Sequence, residues 1–212
     1  MRTPKPEPQF ATLSQQAEAA QLGMWVFLAT EVLFFGGLIF TYFVYRGAYP
    51  VDFAIAARNT ELWCGSTNVA LLVTSSLSMV LSVEAAAEGR RPALLLCLGV
   101  TALLGAAFLS IKGYEYIADY RHQVMPAVNF LLKPGYRPPT ELFWIFYFIA
   151  TGLHAIHLTI GIALVLLMLG RARHGTVGPL YYAPIEVVGL YWSFVDVVWL
   201  FLFPALYLPG RG

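Results

Sequence analysis

Five long apolar segments dominate this sequence and restrict the folds that the chain can adopt. They cover residues 22–45, 62–87, 92–116, 141–170 and 185–207. A bilayer has a hydrocarbon layer about 30 Å thick and an α-helix rises about 1.5 Å per residue, so about 20 apolar residues span it. Because every segment reaches that length, the sequence predicts an all-α, polytopic membrane protein, a bundle of five transmembrane helices.

The composition agrees with a bilayer as the main solvent. Of the 212 residues, 58% are hydrophobic and 12% are charged, which is far from the composition of a soluble domain. The formal net charge of +1 gives no electrostatic reason to expect a nucleic-acid partner. The cysteines, Cys64 and Cys97, have no neighbours at metal-ligand spacing, so we interpret them as small packing residues.

The segments divide the chain into a tail and one membrane domain. Residues 1–21 contain several prolines and lack the apolar core of a signal peptide, so they are predicted to form a cytoplasmic N-terminal tail. Residues 22–208 form the predicted five-helix domain. The short connections at residues 88–91 and 171–184 carry arginines. Loops that carry Lys and Arg tend to remain on the cytoplasmic side of a membrane. These connections and the N-terminus are therefore predicted to be cytoplasmic.

Small and polar residues at helical spacing mark the faces that pack against other helices in a bilayer. Such faces are predicted in the second, third and fifth segments. Their residues are Gly65, Asn68, Ser75, Ser78 and Ser82; Gly99, Ala102, Ala106 and Gly113; and Glu186, Gly189, Ser193 and Asp196. We expect each of these three stripes to form an interface.

Glu31 places a carboxyl group within the first apolar segment. A charge at the centre of a bilayer costs at least about 2.5–3.5 kcal/mol on insertion scales, so this group must be neutral, paired or beside water. Two hypotheses follow from the residues alone. Glu31 either exchanges protons or is a structural carboxyl that bonds to a hydroxyl or imidazole group on a neighbouring helix.

His154 and His157 are three residues apart in the fourth segment and therefore share a helix face. Two imidazoles at this spacing can form part of a metal site, but the other histidines, His122 and His174, lie in or near loops. We favour hydrogen-bonded packing histidines that face a lipid headgroup or Glu31. No metal site is predicted.

Other ionisable residues also lie within the apolar segments. Asp196 is expected to accept hydrogen bonds across a helix interface, with proton exchange as the alternative role. Lys112 and Glu115 are one helical turn apart and are expected to form an interfacial ion pair without chemical activity. No nucleophile triad, phosphate loop or haem-attachment motif occurs in the sequence, so no catalytic residue is predicted in this chain.

Four motifs, in the same order on four helices, resemble subunit III of cytochrome c oxidases. They are MWVFLATEVLFFGGLIF at residues 24–40, the stretch at residues 68–79 with its Leu-Leu and Ser-Ser pairs, ATGLHAIHLTIG at residues 150–161 and WSFVDVVWLFLFP at residues 192–204. The resemblance covers residues 22–208. Longer members of the family have seven helices and this chain begins where the third would, so it resembles a short, five-helix form.

The resemblance also implies roles for individual residues. Glu31 matches a buried carboxyl of the family, near subunit I and toward the cytoplasmic side, and Asp196 matches the acid of a Phe-Val-Asp motif. His154 and His157 match paired histidines of the next-to-last helix. His157, together with Arg171, matches positions that contact phospholipid in longer members.

The resemblance implies a non-redox subunit of a haem–copper, aa3-type cytochrome c oxidase in a bacterial plasma membrane. Haem and copper are then held by partner subunits. Subunit I is the main implied partner, with subunit II, other oxidase subunits, phospholipids and cytochrome c, the electron donor of the complex, as further ones. The implied role is to support subunit I, bind lipid and assist proton uptake in an oxygen-reducing, proton-translocating enzyme.

Several alternatives remain open at this point. Subunit III of a quinol oxidase and the accessory subunit of a nitric oxide reductase are the nearest, because electron donor and acceptor bind elsewhere. The family usually has histidine at the position of Ser193, so a role of that imidazole does not transfer. A small transporter that uses Glu31, His154 and Asp196 as a proton relay is the alternative from another class, although no internal repeat or broken helix supports it.

Overall fold

The described part of the chain consists of α-helices and the turns and loops that connect them. The structure, a computed structural model, describes residues 6–131, 137–175 and 177–211. Within these residues the helices are α1 (Leu13–Ala48), α2 (Pro50–Arg58), α3 (Leu62–Ala87), α4 (Arg91–Arg121), α5 (Pro138–Arg173) and α6 (Ala183–Tyr207). All except α2 are long and apolar enough to cross a membrane. The predicted all-α bundle of five transmembrane helices is confirmed.

The first helix begins earlier than the sequence analysis predicted. The Thr12 side chain caps α1 by accepting a hydrogen bond from the backbone N–H of Gln15 at 3.2 Å. The polar residues that follow are good helix formers, so residues 13–21, predicted as part of the tail, extend α1. At about 1.5 Å per residue, its 36 residues make α1 about 54 Å long, which exceeds the hydrocarbon layer.

The short helix α2 was not predicted from the sequence. It has nine residues, begins at Pro50 and buries Phe53, Ala56 and Ala57 against the bundle, where it contacts α5. The Arg211 guanidinium donates hydrogen bonds to carbonyl oxygens at the end of α2, including that of Ala57 at 3.0 Å. The chain terminus after α6 thus holds α2 in place.

Four of the membrane helices form a closed group, and α1 packs outside it. α3 contacts α4, α4 contacts α5, α5 contacts α6 and α6 contacts α3. α1 contacts α6 and, to a smaller extent, α5 and α2, but among the described helices it contacts neither α3 nor α4. Only 11% of the most apolar stretch of α1 is buried, against 50% for α6. α1 therefore exposes most of its apolar surface to lipid or to other proteins.

The predicted helix faces are confirmed in part. Every member of the α3 stripe is buried, namely Gly65, Asn68, Ser75, Ser78 and Ser82. The prediction for α4 was wrong at Ala106 and Gly113, which are exposed on the outer surface of the bundle. The buried face of α4 instead carries larger side chains, because bulky residues such as Phe108 and Leu98 fill the space between the helices.

One close approach sets the packing of α4, α5 and α6. A Cβ atom on Gly105 would lie 2.8 Å from Cη2 of Trp192 and 3.0 Å from Cγ1 of Ile162. The fully buried Trp192 ring therefore occupies space that only glycine leaves open in α4. Its indole N–H donates to Oγ of Ser75 at 3.1 Å, which ties α6 to α3.

Candidate functional site

Glu31 and His157 form a pair across the interface of α1 and α5. Oε2 of Glu31 lies 3.2 Å from Nε2 of His157. The other ring nitrogen, Nδ1, lies 2.8 Å from the carbonyl oxygen of Leu153, one turn earlier in α5. The structure thus places two of the residues singled out in the sequence in direct contact.

The geometry determines how many protons the pair holds. A carbonyl oxygen only accepts hydrogen bonds, so Nδ1 of His157 carries a hydrogen and donates it to Leu153. The contact between Nε2 and Glu31 then requires one more proton, on either the imidazole or the carboxyl group. Since both forms are neutral overall, gain or loss of a proton changes the net charge of the pair. Such a change needs access to water.

The pair is shielded on one side and open on the other. The Phe35 ring lies 5.2 Å from the His157 ring in an edge-to-face arrangement and is itself buried. Tyr191 of α6 donates its hydroxyl hydrogen to the backbone carbonyl of His157 at 3.0 Å. The side chains of His157 and Glu31 nevertheless remain 16% and 18% exposed. The pair therefore lies close to the surface of the subunit.

His154 faces a different part of the bundle from His157. Its ring lies 5.4 Å from that of Phe108 and 5.0 Å from that of Trp199, between α4 and α6. Neither ring nitrogen has a hydrogen-bond partner among the described residues. His154 therefore contacts neither Glu31 nor a surface where lipid headgroups lie, and the two histidines do not converge on a common point.

Asp196 is buried in α6, on the side that packs against α3. Only 5% of the residue is exposed, and neither carboxyl oxygen forms a hydrogen bond with the described residues, although the Ser76 side chain lies nearby. The hydrogen bonds expected across this interface are therefore not seen.

Lys112 and Glu115 form the expected ion pair, which is buried between the helices of the bundle. Nζ of Lys112 donates to Oε2 of Glu115 at 2.9 Å and to the hydroxyls of Tyr147 and Tyr207 at 2.9 and 2.7 Å. Tyr207 in turn donates to Glu115 at 3.0 Å. The ammonium group has three N–H donors and uses all of them, which explains why it is stable without water.

Lys112, Glu115, Tyr147 and Tyr207 form a core cluster, and neither its tyrosines nor the adjacent Asp119 were predicted from the sequence. Both tyrosines and Asp119 are buried. The signal that could have found Asp119 is its spacing, since it follows Glu115 by four residues and so lies on the same face of α4. Tyr147 and Tyr207 offered no comparable signal, because aromatic residues are common throughout the apolar segments.

Arg171 lies near the end of α5 and far from His157. The two are separated by 14 residues, or about 21 Å along the helix axis, so one headgroup does not reach both. Arg171 lines an open pocket of about 670 Å³ together with His174, Leu167 and Tyr181. This pocket combines basic groups with an apolar wall.

The described residues contain no group of three or more His, Cys, Asp or Glu side chains arranged to hold a metal ion. Both nitrogens of His157 face groups of the protein itself. Glu31 and His157 therefore bond to each other and to the backbone of α5.

Comparisons with known proteins agree with the four motifs. The family model of cytochrome c oxidase subunit III matches residues 11–211. Cytochrome c oxidase subunit 3 of Alkalihalophilus pseudofirmus is 32% identical over 212 residues, which cover 97% of this chain and 93% of the relative. Cytochrome c oxidase subunit 3 of Thermostichus vulcanus is 31% identical over 90% of this chain and 87% of the relative. Quinol oxidase subunit 3 of Bacillus spizizenii is 29% identical over 95% of this chain and 94% of the relative.

Proposed function

Because the chain belongs to the cytochrome c oxidase subunit III family, we propose that it assists proton uptake in an aa3-type cytochrome c oxidase. As a subunit III of a haem–copper oxidase, it is a multi-pass membrane protein that associates with other subunits of a respiratory oxidase complex. In the proposal, subunit I carries the haem and copper that reduce oxygen. Subunit II and cytochrome c complete the path of electrons, and this chain holds no redox centre.

The observation that carries the proposal is the Glu31–His157 pair. It holds one proton in its neutral state, and both side chains are partly exposed on α1 and α5. A pair with these properties takes up or releases a proton where a fully enclosed ion pair does not. In the proposal, it exchanges protons with water that reaches it in the assembled complex and passes them toward subunit I during turnover.

The proposal also includes orientation and lipid. The N-terminus lies in the cytoplasm of a bacterium, since the arginine-bearing connections between α3 and α4 and between α5 and α6 then face inward. The pocket with Arg171 and His174 binds the phosphate of a phospholipid, with acyl chains along Leu166 and Leu167. His157 contributes to proton exchange rather than to the headgroup site, because it faces Glu31.

Substitution of Glu31 tests the proton role. Glu31→Gln keeps the shape of the side chain and still bonds to the imidazole, but it does not titrate. We expect the purified complex to retain this subunit and its normal haem content, with lower turnover or faster inactivation during turnover, most strongly at high pH where protons are scarce. The measurement is oxygen consumption across pH, with the subunit content of each preparation determined in parallel.

Glu31→Ala and Glu88→Gln serve as controls for this experiment. Alanine removes the hydrogen bond as well as the proton, so a loss of the subunit with Ala but not with Gln separates packing from proton exchange. Glu88 is an exposed carboxylate beside Arg90 and should have no effect. If Glu31→Gln leaves turnover and lifetime unchanged at every pH, or releases the subunit, the proton role is wrong.

A quinol oxidase is the second candidate for the complex. The basis is the similarity to quinol oxidase subunit 3, which extends over nearly the whole chain at an identity close to that of the cytochrome c oxidase relatives. Oxygen consumption by the purified complex with reduced cytochrome c and with a reduced quinol decides between them. Activity with quinol alone would overturn the choice of cytochrome c.

A further inference from the structure

The Glu31–His157 pair lies between two unlike halves of the interface that α1 forms with α5 and α6. Glu31 lies 18 residues after Leu13 and 17 residues before Ala48, the two ends of α1, so distance favours neither end. The packing on each side of the pair is different. On the basis of the proton role assigned to Glu31, we propose that the pair exchanges protons through the hydroxyl of Tyr191, with the side of the membrane on which α1 begins.

Hydrogen bonds between side chains link α1 to other parts of the chain on the side where α1 begins. The side chain of Gln16 donates to the hydroxyl of Tyr181 at 2.9 Å. Further along α1, Gln21 donates to Oε2 of Glu186, which lies in the first turn of α6, at 3.0 Å. Polar side chains of this kind also hydrogen-bond to water, so protons can enter the interface from this end.

Tyr191 of α6 extends this polar half up to the pair. Its ring stacks on that of Phe27 in α1, one turn before Glu31, with 6.1 Å between the ring centroids. Its hydroxyl donates to the backbone carbonyl of His157 at 3.0 Å and lies close enough to Glu31 to interact electrostatically with the carboxylate. The hydroxyl oxygen keeps lone pairs that accept further hydrogen bonds. Tyr191 is therefore placed to link the pair to the polar half.

The transfer of a proton leaves Tyr191 unchanged. As the neutral pair gives up its proton, the hydroxyl oxygen of Tyr191 accepts it, and the hydroxyl hydrogen passes to water on the side where α1 begins. The tyrosine is neutral before and after the transfer, while the pair becomes an anion, and the reverse sequence restores the pair. A side chain without a hydroxyl group does not relay a proton in this way.

The other half of the interface begins at Phe35 and is apolar. The Phe35 ring lies 5.2 Å from that of His157 and 6.2 Å from that of Phe194, and neither phenylalanine offers a hydrogen-bonding group. Beyond this layer, Leu38, Leu202 and their neighbours enclose a cavity of about 10 Å³ between α1, α5 and α6. A buried water molecule needs a volume of about 10–15 Å³ and two to four polar partners.

Tyr42 has the one polar side chain among the described residues that line this cavity. Its hydroxyl donates to the backbone carbonyl of Ala205 at 2.5 Å. One side-chain partner is too few to hold a water molecule in so small a space. A proton that left the pair in this direction would have to cross the layer without hydrogen-bond partners, which is costly. This half of the interface therefore separates the pair from the side on which α1 ends.

The other titratable groups on the helices that surround the pair do not replace Tyr191. Residues 22–41 of α1 contain no titratable side chain besides Glu31. On α5, the ring of His154 packs between α4 and α6, and on α6 the carboxyl group of Asp196 lies on the side that packs against α3. Tyr191 is therefore the titratable group of α6 that acts on Glu31.

Time-resolved infrared spectroscopy of the purified oxidase complex tests the proposal. The complex is held in a supported bilayer by a tag at the N-terminus or at the C-terminus of this chain, which lie on opposite sides of the membrane because five helices cross it. The pH of the accessible buffer is raised, and the Glu31 bands are isolated by subtraction of the spectrum of Glu31→Gln. We expect these bands to change at least about tenfold faster when the buffer contacts the side on which α1 begins.

Tyr191→Phe should slow this change by about tenfold or more without altering its final extent, because the ring remains and only the relay is lost. Tyr42→Phe is the matched control. It also removes a buried hydroxyl that donates to a backbone carbonyl, but on the apolar side of the pair, so the rate should stay within about twofold of the wild type. A purely structural role of Tyr191 would leave the rate unchanged in both variants.

Three results would overturn the proposal. Equal rates from the two sides, or a faster change from the side on which α1 ends, would show that the apolar half does not separate the pair from that side. A wild-type rate in Tyr191→Phe would show that protons bypass the hydroxyl. Glu31 bands that respond to pH from neither side would overturn the proton role of Glu31 itself. Subunit content, measured for every variant, excludes loss of the fold as the cause.

Discussion

The Lys112–Glu115 pair and the His157–Glu31 pair use similar chemistry in different surroundings. The first pair has side chains 3% and 0% exposed inside the closed group of four helices, and the second has side chains 16% and 18% exposed beside α1. Lys112 donates to three partners, whereas His157 and Glu31 share a single contact.

We propose that the difference in enclosure separates a structural pair from one that exchanges protons. Breaking a buried ion pair leaves a charge without compensation, so Lys112 and Glu115, together with the tyrosines that Lys112 bonds, fix the positions of α4, α5 and α6. A pair with partial exposure can change its proton count at lower cost wherever water reaches it in the assembled complex, because water solvates the charge that results. An ionisable residue in a membrane helix therefore does not by itself indicate a function. In this account, the degree to which the protein encloses the side chain distinguishes a structural role from proton exchange.

The largest effect is expected from Lys112→Met. This substitution removes the cation and leaves Glu115 buried and unpaired, which should lower the free energy of unfolding by about 3–5 kcal/mol. The measurement is the retention of this subunit in the purified complex on heating. The double variant Lys112→Met, Glu115→Leu should recover much of the loss, because both charges of the pair are then absent. If Lys112→Met alone is as stable as the wild type, the core cluster is not structural.

The packing difference between the core and α1 is tested with alanine substitutions of glycine. Gly105→Ala places a methyl group 2.8 Å from the buried Trp192 ring and should destabilise the subunit by about 1–3 kcal/mol. Gly36→Ala in α1 meets nothing within 4 Å and should be neutral or slightly stabilising. Thermal release of the subunit from the complex measures both. Equal stability of the two variants would contradict the packing described for α4 and α6.

The smallest effect is expected from Tyr191→Phe. The tyrosine hydroxyl donates to the backbone carbonyl of His157 at 3.0 Å, and its loss should cost about 0.5–1.5 kcal/mol. Tyr114→Phe, on the exposed surface of α4, should change nothing. The same thermal assay compares them. A loss as large as that of Lys112→Met would mean that the surroundings of His157 are as tightly packed as the core cluster.

The sequence predicted the parts of the fold that depend on apolar length. The five spanning helices follow from uninterrupted apolar segments, and Glu31 was recognisable as a carboxyl within one of them. The short helix α2 was not predictable in the same way, since its nine residues are stabilised by contacts with α5 and with Arg211 from the other end of the chain.

The candidate site was predictable only as a set of residues. Spacing placed His154 and His157 on one face, but three residues in a helix still differ by about 60° in direction, and only the packing shows that His157 faces α1. The partners of Lys112 come from two other helices, 35 and 95 positions away in the chain. Contacts of this kind depend on the arrangement of helices, which periodicity does not specify.

Infrared titration of the purified complex tests the central claim most directly. The spectrum of Glu31→Gln is subtracted from that of the wild type to isolate Glu31, and Lys112→Met, Glu115→Leu is subtracted in the same way to isolate the core pair. We predict that the Glu31 bands change reversibly as the buffer pH is raised, because the Glu31–His157 pair loses its proton, while the bands of the core pair stay constant. Glu31 bands that do not change over the whole pH range in which the complex remains assembled would contradict the account.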